Sequence, residues 1–533
     1  MCRGLAPAGG RGMSTLAMWR ARAMSWAWPS WTELGLFLLL GVLVPLIGYY
    51  VLVGSPFLGL YGLRYVVVAV ILWAAFSFAA PKAPWYVRLV LSVTLGQLVL
   101  NYGFTNIVVG AGSAKITLAE GGCLIGLLVL LPLTYRWLAR TPAFWLAMAA
   151  MVIPPTYHLY RDFFTYKMAA LRDVLTVVDI AFFVAGMAIV ALGVHRGTWL
   201  AWRDRFMRIW FIAGGLYGLT WPFSTWIQAV SPSFSSYQQA VPVLGTQLTS
   251  PYTAIAVLVA WFAIPHVFPK RSWLRTLWIL LVLVETIIVV VMAQSRNLYL
   301  IILFVPVALG FFGYKRAFAA VAGGLIAMVL SLALVETLNI KIPGRISDVT
   351  LSAVVDRFLS ISGKHGDEYG ATGVQQRLDW WASSLDMWRA SPDRMVFGVG
   401  YGPALTNFMA PGVDGEGVVV REPHNSFVSS LVRGGVVYFV LWGAVVFGSM
   451  RRAWLGARLP GLGEDAAGHF KGFAAWSFIV MGMLALTSLS EPHFETPSIA
   501  AMFYIVAGMV SMEYYIVTRR VDIRPGAGRA PGV

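Results

Sequence analysis

Blocks of about 18 to 25 apolar residues recur along nearly the whole chain, and each block is long enough to cross the hydrocarbon core of a bilayer as a helix. Only 12% of the 533 residues are charged and 58% are hydrophobic, with a mean hydropathy of +0.72. A soluble protein of this length carries about 25% charge. The pattern excludes a soluble enzyme, a fibrous protein and a disordered one, and it predicts an all-α polytopic transmembrane helical bundle.

The sequence predicts about 12 to 14 spans. Fourteen candidates lie near 32–54, 65–81, 89–110, 117–135, 143–157, 173–194, 209–230, 250–268, 276–295, 298–313, 317–337, 425–449, 472–490 and 497–517. The block 143–157 is short and ends in two prolines, so a re-entrant or broken helix is expected there. This gives a lead-in at 1–31, a bundle of about eleven spans at 32–337, a cap loop at 338–424, C-terminal helices at 425–517 and a tail at 518–533.

Basic residues are distributed unevenly between the two sides of this predicted bundle. With the N-terminus inside, the cytoplasmic segments hold 25 of the 40 Lys and Arg residues, whereas the short outer loops hold 6. This asymmetry follows the positive-inside rule and places both termini in the cytoplasm. The net charge of +16 therefore reflects topology, and we expect no nucleic-acid partner.

The cap loop 338–424 differs from the rest of the chain, since it contains ten carboxylates, eight basic residues and many glycines. Within it, Leu378, Trp381, Leu385 and Trp388 follow a three-to-four spacing, which predicts an amphipathic helix. The glycines of Gly398-Val-Gly-Tyr-Gly402 lack the strand and helix context of a dinucleotide site, so they predict tight turns. We expect an ordered cap with amphipathic helices on the outer face.

Metal chemistry has little support in the sequence. The two cysteines, Cys2 and Cys123, are far apart and exclude a cysteine-rich metal site. No Asp-x-Asp pair occurs, and the close acid pairs of the cap, 367–368 and 414/416, lie in glycine-flanked stretches. We therefore expect neither a metal nor another cofactor.

Three polar residues stand out on the predicted outer face. Arg296 lies at the outer end of a very apolar span, Arg377 opens the amphipathic loop helix, and His424 lies where the loop re-enters the membrane. Singly, each has an ordinary explanation: snorkelling for Arg296, solvation for Arg377 and a structural role for His424. Together they place two arginines and a histidine on one membrane face.

In order and spacing, these residues resemble the O-antigen ligase and polymerase superfamily over about 280–450. The resemblance rests on Ser295-Arg296, on Arg377 with the tryptophans after it, on Gly398-Val-Gly400, and on His424-Asn-x-Phe427 followed by two glycines. It implies a membrane-embedded glycosyltransferase of the C type in a bacterial inner membrane, with its active site facing the periplasm. It also implies that Arg296, Arg377 and His424 are functional residues.

The activity implied by this resemblance is transfer of a glycan from undecaprenyl pyrophosphate to an acceptor hydroxyl on a glycolipid or glycan, with lipid A–core as one candidate. Arginine binds phosphate oxygens bidentately, so Arg296 and Arg377 are expected to clamp the diphosphate without a metal. His424 is expected to act as the general base in an inverting transfer. Membrane lipids are the other expected partners.

Second-tier candidates are Arg161, Lys167 and Arg172, which either bind the donor or anchor an outer loop at the interface. Asn425 either orients the acceptor or caps the next helix. Glu491, with His493, either supports the site or marks a helix end. The tryptophans at 380, 381 and 388 either stack on sugars or pack the loop helix onto the bundle.

Two alternative functions remain open at this point. A polymerase that joins repeat units on the lipid carrier needs the same donor clamp and base, so the motifs do not separate it from a ligase. A lipid-linked-sugar flippase belongs to a different class and predicts functional charges at mid-membrane depth. Glu285 is such a charge, and we expect it to pair with a helix carrying Asp179 or Arg433.

Overall fold

The computed structural model describes residues 80–518 and Val521, with gaps at 81, 112–113, 232, 237–238, 246–249, 269–271, 343–346, 360–367, 407–408, 412–416, 420 and 460–465. The predicted lead-in 1–31, the first two predicted spans and nearly all of the predicted tail lie outside the described residues.

Helices make up most of the described chain. In chain order they are α1 Trp85–Thr105, α2 Leu118–Leu138, α3 Pro142–Tyr166, α4 Met168–Val178, α5 Ile180–His195, α6 Trp199–Gly218, α7 Ser224–Val230, α8 Ser250–Ala263, α9 Ser272–Ala293, α10 Arg296–Phe311, α11 Lys315–Thr337, α12 Leu351–Leu359, α13 Glu368–Arg389, α14 Pro392–Phe397, α15 Ser426–Ala457, α16 Ala466–Thr487 and α17 Pro497–Val517. Three short antiparallel ribbons occur in loops: β1 Val108–Ala111 with β2 Ala114–Thr117, β3 Ser233–Ser236 with β4 Gln239–Pro242, and β5 Met409–Pro411 with β6 Gly417–Val419.

The predicted all-α membrane bundle is confirmed. Within the described residues, eight helical segments are long and apolar enough to cross a membrane, and α8 and α10 are shorter apolar helices. One of the eight segments, Met168–His195, combines α4 with α5. The strands stay confined to loop hairpins of three or four residues per strand.

Two predicted span boundaries are wrong. The block 143–157 is neither short nor broken, because α3 continues for 25 residues with Pro154 and Pro155 inside it. The block 209–230 is not one helix either. Helix α6 starts earlier, at Trp199, and ends at Gly218, after which a 3₁₀ turn and the short α7 follow. Apolar content marked both regions correctly, but the sequence pattern did not fix where each helix ends.

The centre of the bundle is the pair α5 and α17, which are buried along nearly their whole length. Close approach of their backbones requires glycine on both sides. A Cβ added at Gly186 would lie 2.7 Å from the carbonyl oxygen of Ile505, and one added at Gly508 would lie 2.1 Å from that of Phe183. Small residues at a helix contact of this kind give close van der Waals packing within a membrane.

The cap loop contains helices α12, α13 and α14, in agreement with the prediction of helices in this loop. Helix α13 begins at Glu368 and ends at Arg389, so Arg377 lies in its middle and not at its start. The predicted apolar stripe matches the buried face of α13 except at its first residue, since Leu378 is 45% exposed. Trp381, Leu385 and Trp388 are half-buried. Ser384 on the same face is fully buried and donates its hydroxyl hydrogen to the carbonyl of Leu405.

Helix α15 is kinked where its two consecutive glycines occur. Gly435 has a φ of +65° within the helix, which frees carbonyl groups one turn earlier. The carbonyls of Val432 and Arg433 accept hydrogen bonds from the backbone N–H groups of Val399 and Gly400, at 2.8 and 2.9 Å. The kink therefore attaches the end of the cap to the first turns of α15.

Candidate functional site

Glu491 is the centre of a polar cluster at one end of the bundle. It lies in the short loop between α16 and α17, and its Oε1 is 2.8 Å from Nη2 of Arg377 in the cap. Its Oε2 is 3.3 Å from Nδ1 of His424, and its Oε1 also accepts a 3.4 Å hydrogen bond from the side-chain amide of Asn297. One carboxylate therefore joins the cap, the re-entry segment and the start of α10.

His424 is held at the junction between the cap and α15. It has a φ of +52°, a left-handed conformation that is uncommon outside glycine. The next residue, Asn425, caps α15 by accepting hydrogen bonds from the backbone of Phe427 and Val428. About a third of the His424 side chain stays exposed, and the Trp380 ring lies 5.3 Å from it between centroids. The imidazole is thus anchored on one side and accessible on the other.

Arg296 begins α10, and its side chain is partly buried. The following residue, Asn297, contacts Glu491 and accepts a hydrogen bond from the hydroxyl of Ser490. The structure therefore brings the α10 start that carries Arg296 to the same loop that holds Arg377 and His424. Residues from three distant parts of the sequence meet at this loop.

The titration behaviour of the cluster follows from its contacts. Burial opposes ionisation of Glu491, but the hydrogen bond with His424 and the charge of Arg377 together lower the pKa of its carboxyl below the usual value. Glu491 is therefore a carboxylate near neutral pH. The neighbouring His493 is 8% exposed, and burial lowers its pKa to about 4, so it stays neutral and bonds the hydroxyl of Tyr252 at 2.8 Å.

Arg161 is engaged away from this cluster. Its guanidinium binds Asp162 at 2.7 Å and the carbonyl of Val399 at 2.7 Å. The Asp162 carboxylate in turn accepts the N–H of Tyr401. Arg161 thus holds the glycine turn of the cap.

Arg172 and Lys167 also lie outside the cluster around Glu491. Arg172 binds Asp173 at 2.7 Å, and Asp173 accepts the N–H of Gly402. Lys167 is exposed at the junction between α3 and α4.

The three glycines at positions 398, 400 and 402 all have positive φ, between 87° and 114°, as expected for tight turns. A Cβ added at Gly398 would lie 2.1 Å from the carbonyl oxygen of Arg433, and one at Gly400 would meet the Arg161–Asp162 pair. These glycines allow the cap to lie directly against α3 and α15.

Arg433 anchors the segment that carries His424. It pairs with Glu422 and lies 3.3 Å from Asp173, and Arg421 reaches the same Asp173 oxygen at 3.0 Å. The expected pairing of Glu285 with a helix carrying Asp179 or Arg433 is not seen for Arg433. Glu285 instead accepts a 3.1 Å hydrogen bond from Ser250.

The loop tryptophans divide into two groups. Trp381 donates its indole N–H to the carbonyl of Pro423, and Trp388 donates to that of Met395, so both fasten the loop helix to its surroundings. Trp380 lies instead against the His424 ring. An aromatic face beside an accessible imidazole is suited to sugar stacking.

Among the described residues, no group of three or more His, Cys, Asp or Glu side chains could hold a metal ion. The acid pairs at 367–368 and 414/416 lie outside the described side chains. Arg377 is the arginine that contacts Glu491, and Arg296 begins the helix next to Asn297, so an anion at this loop would meet guanidinium donors.

Glu491 was predicted only as a secondary candidate, from the Glu491-Pro-His493 segment at the outer end of two predicted spans. That segment gives no indication that Glu491 contacts Arg377 and His424. Asn297 was missed, although it follows Arg296 directly.

Residues 281–443 match the family model described as O-antigen ligase. This match confirms the resemblance to the O-antigen ligase superfamily, and its range contains Arg296, Arg377 and His424 but not Glu491. No curated protein matches the chain.

Proposed function

We propose that this O-antigen ligase-like membrane protein transfers a glycan from undecaprenyl pyrophosphate to an acceptor hydroxyl, such as one on lipid A–core, at the periplasmic face of a bacterial inner membrane. The observation that carries the proposal is the convergence of Arg377, His424 and the start of α10 on Glu491. The family match over 281–443 supports the class of reaction.

In the proposed reaction, the acceptor oxygen attacks the anomeric carbon of the donor sugar. A new C–O bond forms as the bond from that carbon to the phosphate oxygen breaks, and the electron pair leaves with the polyprenyl diphosphate. The acceptor proton moves to His424. One direct displacement inverts the configuration of the anomeric carbon, and no covalent intermediate with the enzyme is needed.

His424 is assigned as the base because one ring nitrogen lies toward a carboxylate while the side chain is about one-third exposed. With Nδ1–H donating to Glu491, Nε2 is free to accept a proton from an acceptor that enters beside Trp380. A carboxylate that fixes the tautomer and orientation of a histidine in this way is a positioning group, so Glu491 acts through His424.

Arg296 and Arg377 are assigned to the diphosphate. Charge builds up on the leaving group as the bond breaks, and fixed guanidinium donors stabilise that charge without a divalent ion. The contacts of Arg161 and Arg172 with aspartates favour a role in holding the cap, and exposed Lys167 fits interfacial anchoring. We therefore assign none of the three to the donor.

Reconstitution tests the proposal and its alternatives together. Purified protein in vesicles is given labelled undecaprenyl-pyrophosphate oligosaccharide with or without lipid A–core, and the products are separated on a gel. A single shifted band that requires lipid A–core supports the ligase. A ladder without added acceptor assigns the polymerase instead, and label that crosses the membrane without any product contradicts the enzyme and supports a flippase.

A further inference from the structure

A groove on the side of the bundle lies at the end opposite to the Glu491 cluster. It runs between α6 and the first half of α9, has a volume of about 180 Å³, and its apolar wall includes Phe211, Leu216, Phe268, Leu277 and Leu281. Leu216, Leu277 and Leu281 are 38 to 48% exposed. The groove therefore opens sideways, toward the region that lipid tails occupy in a membrane.

Its distance from the candidate site follows from α9 itself. Arg275 lies in the first turn of α9, and Ala293 ends the helix next to the loop that leads to Arg296. Eighteen residues of helix at about 1.5 Å per residue separate the two ends by about 27 Å. The groove thus belongs to the opposite membrane face, where the sequence predicts the cytoplasm.

Two arginines close one end of the groove. Arg208 donates from Nε to the carbonyl of Val267 at 2.8 Å. The Arg275 guanidinium lies 4.0 Å above the Trp261 ring, and its buried Nε has no acceptor in the described part of the chain. Trp278, whose ring fits against Gly215, also has a buried indole N–H without an acceptor among those residues. The end of the groove thus presents donors that lack acceptors.

No carboxylate lines the groove within the described residues. The nearby Asp204, one turn before Arg208, interacts electrostatically with Arg208 and is also shared by Arg203 at 3.1 Å and His266 at 3.5 Å. A ligand that fits therefore has an apolar chain and an anionic group with oxygen acceptors.

We propose that this groove binds one anionic phospholipid, with an acyl chain along the leucine wall and the phosphate at Arg275. An acyl chain matches the apolar wall and the sideways opening, and a phosphate supplies the acceptors that Arg275 and Trp278 lack. The arginines at the end of the groove attract an anionic headgroup more strongly than a zwitterionic one. This site is independent of the proposed glycan transfer.

Native mass spectrometry of the purified full chain tests the proposal. The protein is exchanged into detergent with phosphatidylglycerol or phosphatidylcholine, and the retained lipid is counted. We expect one tightly retained phosphatidylglycerol and about tenfold weaker retention in Arg275→Gln, the loss expected for one charge-assisted hydrogen bond. Arg275→Lys keeps the charge and is expected to retain most of the binding.

The matched control is Arg136→Gln, because Arg136 also stacks on a tryptophan but lies on the exposed surface of α2. Thermal unfolding of each variant shows that it is folded. Equal retention of phosphatidylcholine and phosphatidylglycerol by the wild type would overturn the proposal. So would equal losses in Arg275→Gln and Arg136→Gln, or retention of undecaprenyl phosphate in place of phosphatidylglycerol.

Discussion

At the scale of individual residues, the carboxylate of Glu491 connects the parts of the proposed active site. Glu491 touches one arginine, one histidine and one asparagine, which come from three different segments. It keeps the imidazole oriented and keeps Arg377 near the place where a diphosphate is expected. Its lowered pKa means that it stays ionised across the neutral range, so it is a fixed charge and not a titrating base.

Glu491→Gln is expected to lower kcat about 10- to 100-fold while the KM for the donor changes little, because the neutral amide holds His424 less firmly than a carboxylate. Glu491→Asp should restore part of the rate. Steady-state kinetics on the reconstituted protein provide the measurement. Glu336→Gln is the control, since Glu336 is an exposed carboxylate at the end of α11 that bonds Ser352. An unchanged kcat in Glu491→Gln would remove Glu491 from the mechanism.

The burial of His493 is expected to make the stability of the protein sensitive to acid. Its folded-state pKa of about 4 lies below the 6.5 of a free imidazole, so the unfolded chain binds more protons between these values. The contribution of neutral His493 to the free energy of unfolding is fully present above pH 6.5 and decreases as the pH drops toward 4. At pH 5 it has decreased by about 2 kcal/mol. Unfolding in detergent at pH 7 and pH 5 should show a smaller difference for His493→Gln than for wild type, and an identical difference would refute the assignment.

At the scale of elements, the kink in α15 and the glycine turn of the cap form one structure. Gly435 bends the helix, and the freed carbonyls hold the backbone of Val399 and Gly400. The same helix starts with Asn425 as its cap, directly after His424. The position of the proposed base therefore depends on how the first turns of α15 are fastened.

Gly435→Ala is expected to destabilise the protein and to lower activity, since a Cβ there would lie 2.3 Å from the carbonyl oxygen of Val396 at a φ that disfavours alanine. Gly443→Ala in the same helix is the matched control. Its added Cβ meets only the Phe447 ring at 3.8 Å, so stability should be unchanged or raised by up to about 1 kcal/mol. Thermal unfolding compares the two, and equal effects would show that the kink is not required.

The sequence predicted the elements well where a local pattern determines them. The length of the apolar blocks predicted where the membrane-spanning helices lie, and the glycines at 398, 400 and 402 predicted tight turns. The helix ends around Pro154-Pro155 and Gly218 were not predictable, because neighbouring helices decide whether a proline is tolerated or a helix stops. In α13, the apolar spacing predicted the buried face correctly except at Leu378, which is exposed, and it did not identify the buried Ser384 on that face.

The site residues show the same division between local and long-range information. Arg296, Arg377 and His424 were identifiable from short motifs, whereas their common partner was not. Glu491 lies 67 residues from His424 and 114 from Arg377, and only the tertiary arrangement brings them together. The pairing of Arg433 with Asp173 is likewise set by the packing of α15 against α3, the helix that directly precedes α4.

At the scale of the whole molecule, the two ends of the bundle have different chemistry. One end carries the cap and the Glu491 cluster, and the other carries the groove closed by Arg208 and Arg275. The proposed clamp consists of arginines, so transfer is expected to continue unchanged in EDTA. Product formation on the gel measures this. Loss of activity in EDTA with recovery on adding Mg²⁺ would contradict a clamp made of arginine alone.

The most direct measurement of the central claim compares wild type with His424→Ala in a single turnover on labelled undecaprenyl-pyrophosphate glycan. Both release of the carrier diphosphate and transfer of the glycan are followed. We predict that the wild type yields one released carrier per transferred glycan, and that His424→Ala binds the donor but transfers nothing above background. A variant that transfers at the wild-type rate would contradict the proposed base and the mechanism built on it.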